Sequence, residues 1–196
     1  MDLHGLLLDW LQSTFRGQAA LAAQRIAPDF VLPDDEGWLT SSRELRARGP
    51  YVLTFFHGGW CTACVARLQG FDDELDRIHA LGADIVAVSP DTFDHPRKLK
   101  GANGWRLMLL SDVDYELGLD LGITFAVPPE VRALLAGRGI DLSLRHGSSA
   151  WMLPVPMTYV VDRDGFAVEA FAESDDRAGS DMDAITTALS KLKASR

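Results

Sequence analysis

Tyr51-Val52-Leu53-Thr54-Phe55-Phe56-His57-Gly58-Gly59-Trp60-Cys61-Thr62-Ala63-Cys64 decides the fold. Residues 51–56 form an apolar, β-prone run. After the cysteines, Val65, Leu68, Phe71, Leu75 and Ile78 recur at three- and four-residue steps, the period of a helix. The chain's two cysteines therefore sit where a buried strand hands over to a helix. His57-Gly58-Gly59 is a loop in which glycine lets the backbone turn sharply.

That position suits thiol chemistry. A helix N-terminus presents unpaired N–H groups and about half a positive charge, which favours a thiolate over a thiol. Cys61 falls at the helix start and Cys64 one turn in, close enough to form a disulfide with little backbone movement. The bland alternative is two buried small hydrophobes. Both cysteines at one strand–helix junction favour the redox reading.

Downstream, the helix runs to about Leu81 and Gly82 stops it. Ala83–Ser89 is a second buried strand, which closes a βαβ unit with a parallel, right-handed crossover. In such a unit C-x-x-C reads as a thioredoxin-like redox motif. A short helix is expected over 96–100, a third strand over 105–110 and a short helix over 112–119. Residues 124–150 are less regular, with a helix from Pro128-Pro129 through Leu135 ended by Gly137 and Gly139. They read as an insertion on the active-site side. Residues 154–161 and 166–171 flank Asp162-Arg163-Asp164-Gly165, a β-hairpin. Asp181–Leu192 closes the chain as an amphipathic helix, with Met182, Ile185, Leu189 and Leu192 on one face.

Upstream, residues 2–25 carry a broad apolar face (Leu3, Leu7, Trp10, Leu11, Phe15, Leu21, Ala22) and read as a helix broken by Gly17. It either packs on its own domain or helps form a homodimer. Ala27–Pro33 is extended, because Pro28 and Pro33 exclude a helix. Asp34–Gly37 is a turn. Ser41 and Glu44 form the capping box of a short helix through Arg48. The expected organisation is an N-terminal helical extension, 1–26, and one redox domain, 27–196.

The chain has 196 residues, 47% of them hydrophobic, enough for a substantial single core. Its net charge of −9 and pI near 4.9 argue against nucleic acid or an anionic membrane as partner. No apolar run is long enough to span a bilayer. The first residues lack a basic leader and a cleavage site, so a cytoplasmic location is expected. Two thiols without a nearby Cys or His pair argue against a zinc site, and no metal or cofactor is expected.

Three stretches carry a resemblance: Ala27-Pro28-Asp29-Phe30, Phe55–Cys64, and Val155-Pro156-Met157-Thr158 through Gly165. They resemble the peroxiredoxin-like branch of the alkyl hydroperoxide reductase/thiol-specific antioxidant family over about residues 27–192. The resemblance implies an α/β, thioredoxin-like fold, with a central mixed sheet flanked by helices. It also implies a cis peptide bond at Pro156, facing the cysteine pair, with the Val155 carbonyl where a substrate thiol approaches. A trans proline at a strand's first residue is the alternative.

Two departures stand out. The family's P-x-x-x-T-x-x-C pattern meets His57, Cys61 and Cys64 here, so Cys64 stands in the peroxidatic place and Cys61 replaces the threonine. The family's active-site arginine has no match in 148–154; Arg145 is the nearest candidate and is poorly placed.

The implied activity is thiol-dependent peroxide reduction in an antioxidant role, with Cys61 and Cys64 catalytic and a thioredoxin or glutathione-type thiol as donor. The runner-up is a thiol-disulfide oxidoreductase acting on protein disulfides. Either cysteine can be the attacker: Cys61 in the thioredoxin manner, Cys64 in the peroxiredoxin manner. Trp60 either packs beside the pair and limits water or is an ordinary core aromatic. His57 either tunes a thiolate or is a plain loop histidine. His95 and His146 read as solvated loop residues. Asp72, Asp73, Glu74 and Asp76 read as a solvated helix face.

Overall fold

The computed structural model describes residues 25–92, 94–172 and 178–194. In chain order the strands are β1 (Arg25–Ile26), β2 (Val31–Pro33), β3 (Leu39–Ser41), β4 (Tyr51–Phe55), β5 (Asp84–Ser89), β6 (Met108–Ser111), β7 (Thr124–Ala126), β8 (Met152–Pro154), β9 (Met157–Val161) and β10 (Phe166–Ala172). The helices are α1 (Ser42–Arg48), α2 (Thr62–Asp73), α3 (Leu75–Ala80), α4 (Asp94–Asn103), α5 (Glu116–Asp120), α6 (Pro129–Gly137), α7 (Leu142–His146) and α8 (Ala178–Ala194). The helix expected over 2–25 lies outside the described residues, except that Arg25 belongs to β1.

The central sheet has six strands in the order β1-β10-β9-β4-β5-β6. β4, β5 and β6 run parallel, while β9 pairs antiparallel with β4 and β10 with β9. This is the expected thioredoxin-like α/β architecture, a mixed sheet with helices on both faces. β4 is buried at all five positions because both its faces are covered. Val52 and Phe56 enter one core with Leu68 and Phe71 of α2, Ile78 of α3 and Ile185 and Leu189 of α8. Tyr51, Leu53 and Phe55 point the other way, against Phe30, Leu45 of α1 and Leu117 of α5. Each fully buried Leu or Ile contributes about 1.5–3 kcal/mol.

Local signals are honoured where they are strong. Ser41 and Glu44 form both halves of the capping box. Asp162 Oδ1 accepts from the N–H groups of Asp164 and Phe166 in the hairpin turn.

Two expectations need correction. The helix after the cysteines is broken at Glu74 into α2 and α3. Asp72 is also no part of a solvated face: it is 8% exposed, and its Oδ1 accepts from the backbone N–H groups of Arg106 (2.6 Å) and Leu107 (2.9 Å). Those donors precede β6, so the carboxylate ties the end of α2 to the sheet.

Where the sequence predicts a less regular stretch over 124–150, two strands and two helices span 124–154. β7 and β8 pair antiparallel, and α6 and α7 lie between them in sequence. Phe125, Val131, Leu135, Leu142 and Leu153 make a small core of their own, and Trp60 and Val155 pack against it. Trp60 also packs on the main core. One aromatic beside the cysteines therefore joins the insertion to the domain.

Candidate active site

The site begins where β4 ends. Phe56 N–H donates to the Val88 carbonyl, extending the β4–β5 ladder one step. The chain then turns through Gly58, whose φ of +126° favours glycine. A Cβ there would also lie 2.6 Å from Asp91 Oδ2. Cys61 follows as the N-cap of α2, with extended φ/ψ, and its sulfur accepts the Cys64 backbone N–H at 3.3 Å. The thiol thus takes the role that a Ser or Asp oxygen usually fills at a helix start. The first turn of α2 carries no acidic residue, so nothing there offsets the helix dipole.

Neither cysteine is in a disulfide and both are buried, Cys61 at 5% exposure and Cys64 at 1%. Cys64 Sγ lies 3.8 Å from His57 Nδ1. His57 is fully buried and stacks on Trp60, ring centroids 5.7 Å apart and planes 12° apart. The ligand-type atoms of His57, Cys61 and Cys64 all lie within 4.8 Å of one another. A hydrogen bond from the Cys64 thiol holds the Cys61 thiol far below its ordinary range; burial opposes this, and His57 and the Cys64 backbone N–H add to it. The net result is a Cys61 pKa of about 4.

The structure therefore brings together Cys61, Cys64, His57 and Trp60. Val155 shares an apolar cluster with Trp60, and its N–H donates to the Ile123 carbonyl at 2.7 Å. Pro156 is buried between β8 and β9. The β4–β9 register pairs Thr54 with Thr158; continued two residues, it sets Pro156 across from Phe56. The expected cis bond is not there: no described peptide bond is cis. The trans isomer is intrinsically favoured by about 0.5–1 kcal/mol.

His146 also needs correction. It is 2% exposed, not solvated, with Nδ1 3.1 Å from the Tyr115 hydroxyl. Burial, then the neighbouring Arg145 and His95 charges, push its pKa down to about 4. It is thus neutral at pH 7, and its 3.7 Å approach to Asp91 is no ion pair. Arg145 is committed to Asp91, a carboxylate 1% exposed, through Nε (2.9 Å) and an NH2 bond. Asp91 lies against Gly58, so this pair fastens α7 of the insertion to the active-site loop.

Sequence reasoning missed Asp91 and Arg67. Asp91 stands just past the C-terminal end of a parallel strand, where sites collect in open α/β sheets. Arg67 is three residues after Cys64 and so on the same helix face. Its NH2 donates to Thr158 Oγ1 at 3.0 Å, beside the Thr54–Thr158 hydroxyl pair, and its guanidinium lies over the Phe71 ring.

Comparisons with known proteins bear on the family and the fold. Residues 23–170 match the model of the AhpC/TSA family. Among named relatives, a thioredoxin peroxidase of Echinococcus granulosus is 30% identical over 84 residues, 39% of this chain and 44% of that protein. The chain spans about half the length of the curated relatives it matches. The crystal structure of peroxidoxin BcpB from Mycobacterium tuberculosis superposes with a TM-score of 0.68 at 20% identity, covering 89% of this chain and 98% of that one. Xanthomonas campestris peroxiredoxin Q gives 0.67 at 19% identity, covering 90% and 99%. With three quarters of its length matched by one family model and the cysteine pair at the start of α2, the chain belongs to the AhpC/TSA family.

Proposed function

We propose that this chain is a thiol peroxidase in which Cys61 attacks peroxide and Cys64 resolves. The observation that carries the reading is the Cys61 sulfur at the N-cap of α2, 3.3 Å from the Cys64 N–H, with its pKa lowered. A thiolate is the nucleophile in thiol chemistry, and this one is populated throughout the neutral range. The Cys61 thiolate takes the distal oxygen of ROOH and, with one proton, gives Cys61–SOH and ROH. The Cys64 thiol then attacks that sulfur. Its proton passes toward His57, whose Nδ1 is 3.8 Å away, and on to the departing hydroxide. Water leaves and the Cys61–Cys64 disulfide forms. A dithiol donor of thioredoxin type restores both thiols by exchange, becoming a disulfide itself.

The same geometry supports a second reading. Arg145 is held by Asp91, and a low-pKa N-cap cysteine with a buried partner three residues on also suits exchange with protein disulfides. The two are separated by reacting reduced protein with hydrogen peroxide and with insulin. Peroxidase function predicts rapid loss of both thiols with peroxide and slow insulin reduction; the reverse supports exchange. Trapping sulfenic acid with dimedone assigns the attacker. Cys64→Ser accumulates the adduct at Cys61 and Cys61→Ser forms none. An adduct at Cys64 in Cys61→Ser would refute the assignment.

A further inference from the structure

We propose that the reduced protein binds one zinc ion per chain through one imidazole nitrogen of His57 and the sulfurs of Cys61 and Cys64, and that disulfide formation expels it. This goes beyond the peroxidase reading; only the expulsion step depends on the disulfide.

The donor set is built, not scattered. Three soft donors converge within 4.8 Å. Around a tetrahedral Zn²⁺, with bonds near 2.3 Å to sulfur and 2.0–2.1 Å to nitrogen, such donors stand about 3.5–3.8 Å apart. Cys64 Sγ and His57 Nδ1 are already at 3.8 Å. Side-chain adjustments of an ångström or less complete the set. His57 precedes Cys61 by four residues across the Gly58-Gly59 turn, so the loop that brings the imidazole over the helix start creates the third ligand. Stacking on Trp60 fixes the plane of that imidazole.

The chemistry selects the ion. Thiolate and imidazole suit zinc, and no carboxylate belongs to the cluster, which disfavours calcium or magnesium. All three residues are buried in an apolar setting that includes Phe56, Trp60 and Leu68. Two thiolates and a neutral imidazole cancel the two charges of Zn²⁺. The complex is therefore neutral where an uncompensated charge is costly. Two cysteines and one histidine with an open fourth position form a known zinc arrangement, and water or an external thiol can take that position.

Metal and disulfide exclude one another because both use the same sulfur lone pairs. Oxidation of the loaded site balances as Zn(S)₂ + ROOH + 2H⁺ giving the disulfide, ROH, H₂O and Zn²⁺. Both electrons come from the thiolates and zinc keeps its charge. Zinc thus occupies the dithiol form alone, and by engaging the sulfur lone pairs it slows oxidant attack on them.

The test titrates reduced, metal-stripped protein with Zn²⁺ against a chromophoric chelator and with Co²⁺ by absorption spectroscopy. The expected result is one ion per chain, a thiolate-to-cobalt charge-transfer band with tetrahedral d–d bands, and no binding by the disulfide form. His57→Ala lowers zinc affinity at least tenfold with both cysteines intact. His57→Gln, close to histidine in volume, does the same, and circular dichroism checks that both fold. Saturating zinc slows thiol loss to peroxide at least tenfold, and chelator restores it. Affinity unchanged in both His57 variants, or equal uptake by a Cys61→Ser/Cys64→Ser chain, overturns the site. Peroxide-driven thiol loss in the metal-free protein tests the peroxidase reading separately.

Discussion

Two fully buried histidines flank one turn of this molecule and do opposite work. His57 stands at the start of the Gly58-Gly59 loop with a thiol at 3.8 Å, and its proximity helps hold the neighbouring Cys61 ionised. His146, on the insertion, meets a tyrosine hydroxyl and lies near a carboxylate already taken by Arg145. Burial keeps it neutral and silent. The difference lies in the partners each backbone position supplies. One histidine borders ionisable sulfurs at a helix start, and the other is locked into an ion-paired brace. The brace holds the loop, and the loop holds the thiols.

Breaking the brace has the largest expected effect on stability. Asp91→Ala leaves Arg145 partly buried without its carboxylate. The loss is about 3 kcal/mol, since removing one partner of a buried pair strands the other charge. For a chain of this size that lowers Tm by roughly 6–12 °C, read by differential scanning calorimetry. A Tm within a degree of wild type would dissolve the contrast between a structural and a chemical histidine.

Gly58→Ala comes next. Its Cβ would sit 2.6 Å from Asp91 Oδ2 at a φ of +126°, so it strains the backbone and displaces the brace together. The cost is about 1–3 kcal/mol from the backbone alone. Combining it with Asp91→Ala should cost less than the sum of the two, because the contact is shared. Strict additivity would show that loop and brace are independent.

The histidines themselves separate by chemistry rather than stability. His57→Ala removes one cause of the low Cys61 pKa, so alkylation of Cys61 at pH 5 slows. His146→Ala leaves the midpoint of that reaction unchanged. Equal effects would erase the distinction.

Stability against pH gives the most specific signal. Both Cys61 and His146 have folded pKa values below their unfolded ones, so each contributes stability that is lost as pH falls. For His146 the window runs from about 6.5 down to about 4. For Cys61 it runs from about 9 down to about 4. Denaturant midpoints should therefore still rise between pH 7 and 9 in the reduced protein, and that part of the slope should vanish in Cys61→Ser.

Much of the fold was legible because its strongest signals are local. β4, β5 and the β9–β10 hairpin announce themselves by continuous apolar runs and a D-x-D-G turn. The cysteine pair and His57 are neighbours in sequence, so the site could be drawn from one stretch. What escaped is decided at a distance. Asp72 looks like a surface acid until Arg106 and Leu107, 34 and 35 residues on, bring their N–H groups to it. His146 looks like a loop histidine until Tyr115 covers it. Asp91 and Arg145, 54 residues apart, carry no shared local mark. His57 looks like a plain loop histidine until the turn brings its ring nitrogen within 4.8 Å of both sulfurs.

The central claim is that Cys61 is a thiolate at neutral pH, held so first by the Cys64 thiol and then by His57 and the Cys64 backbone N–H. Differential alkylation of the reduced protein across pH 3 to 10, with the modified cysteine identified by peptide mass spectrometry, tests it most directly. The account predicts Cys61 modified first, with a midpoint near pH 4 and Cys64 protected. Modification of Cys64 first, or a Cys61 midpoint near the ordinary thiol value of about 9, would contradict it.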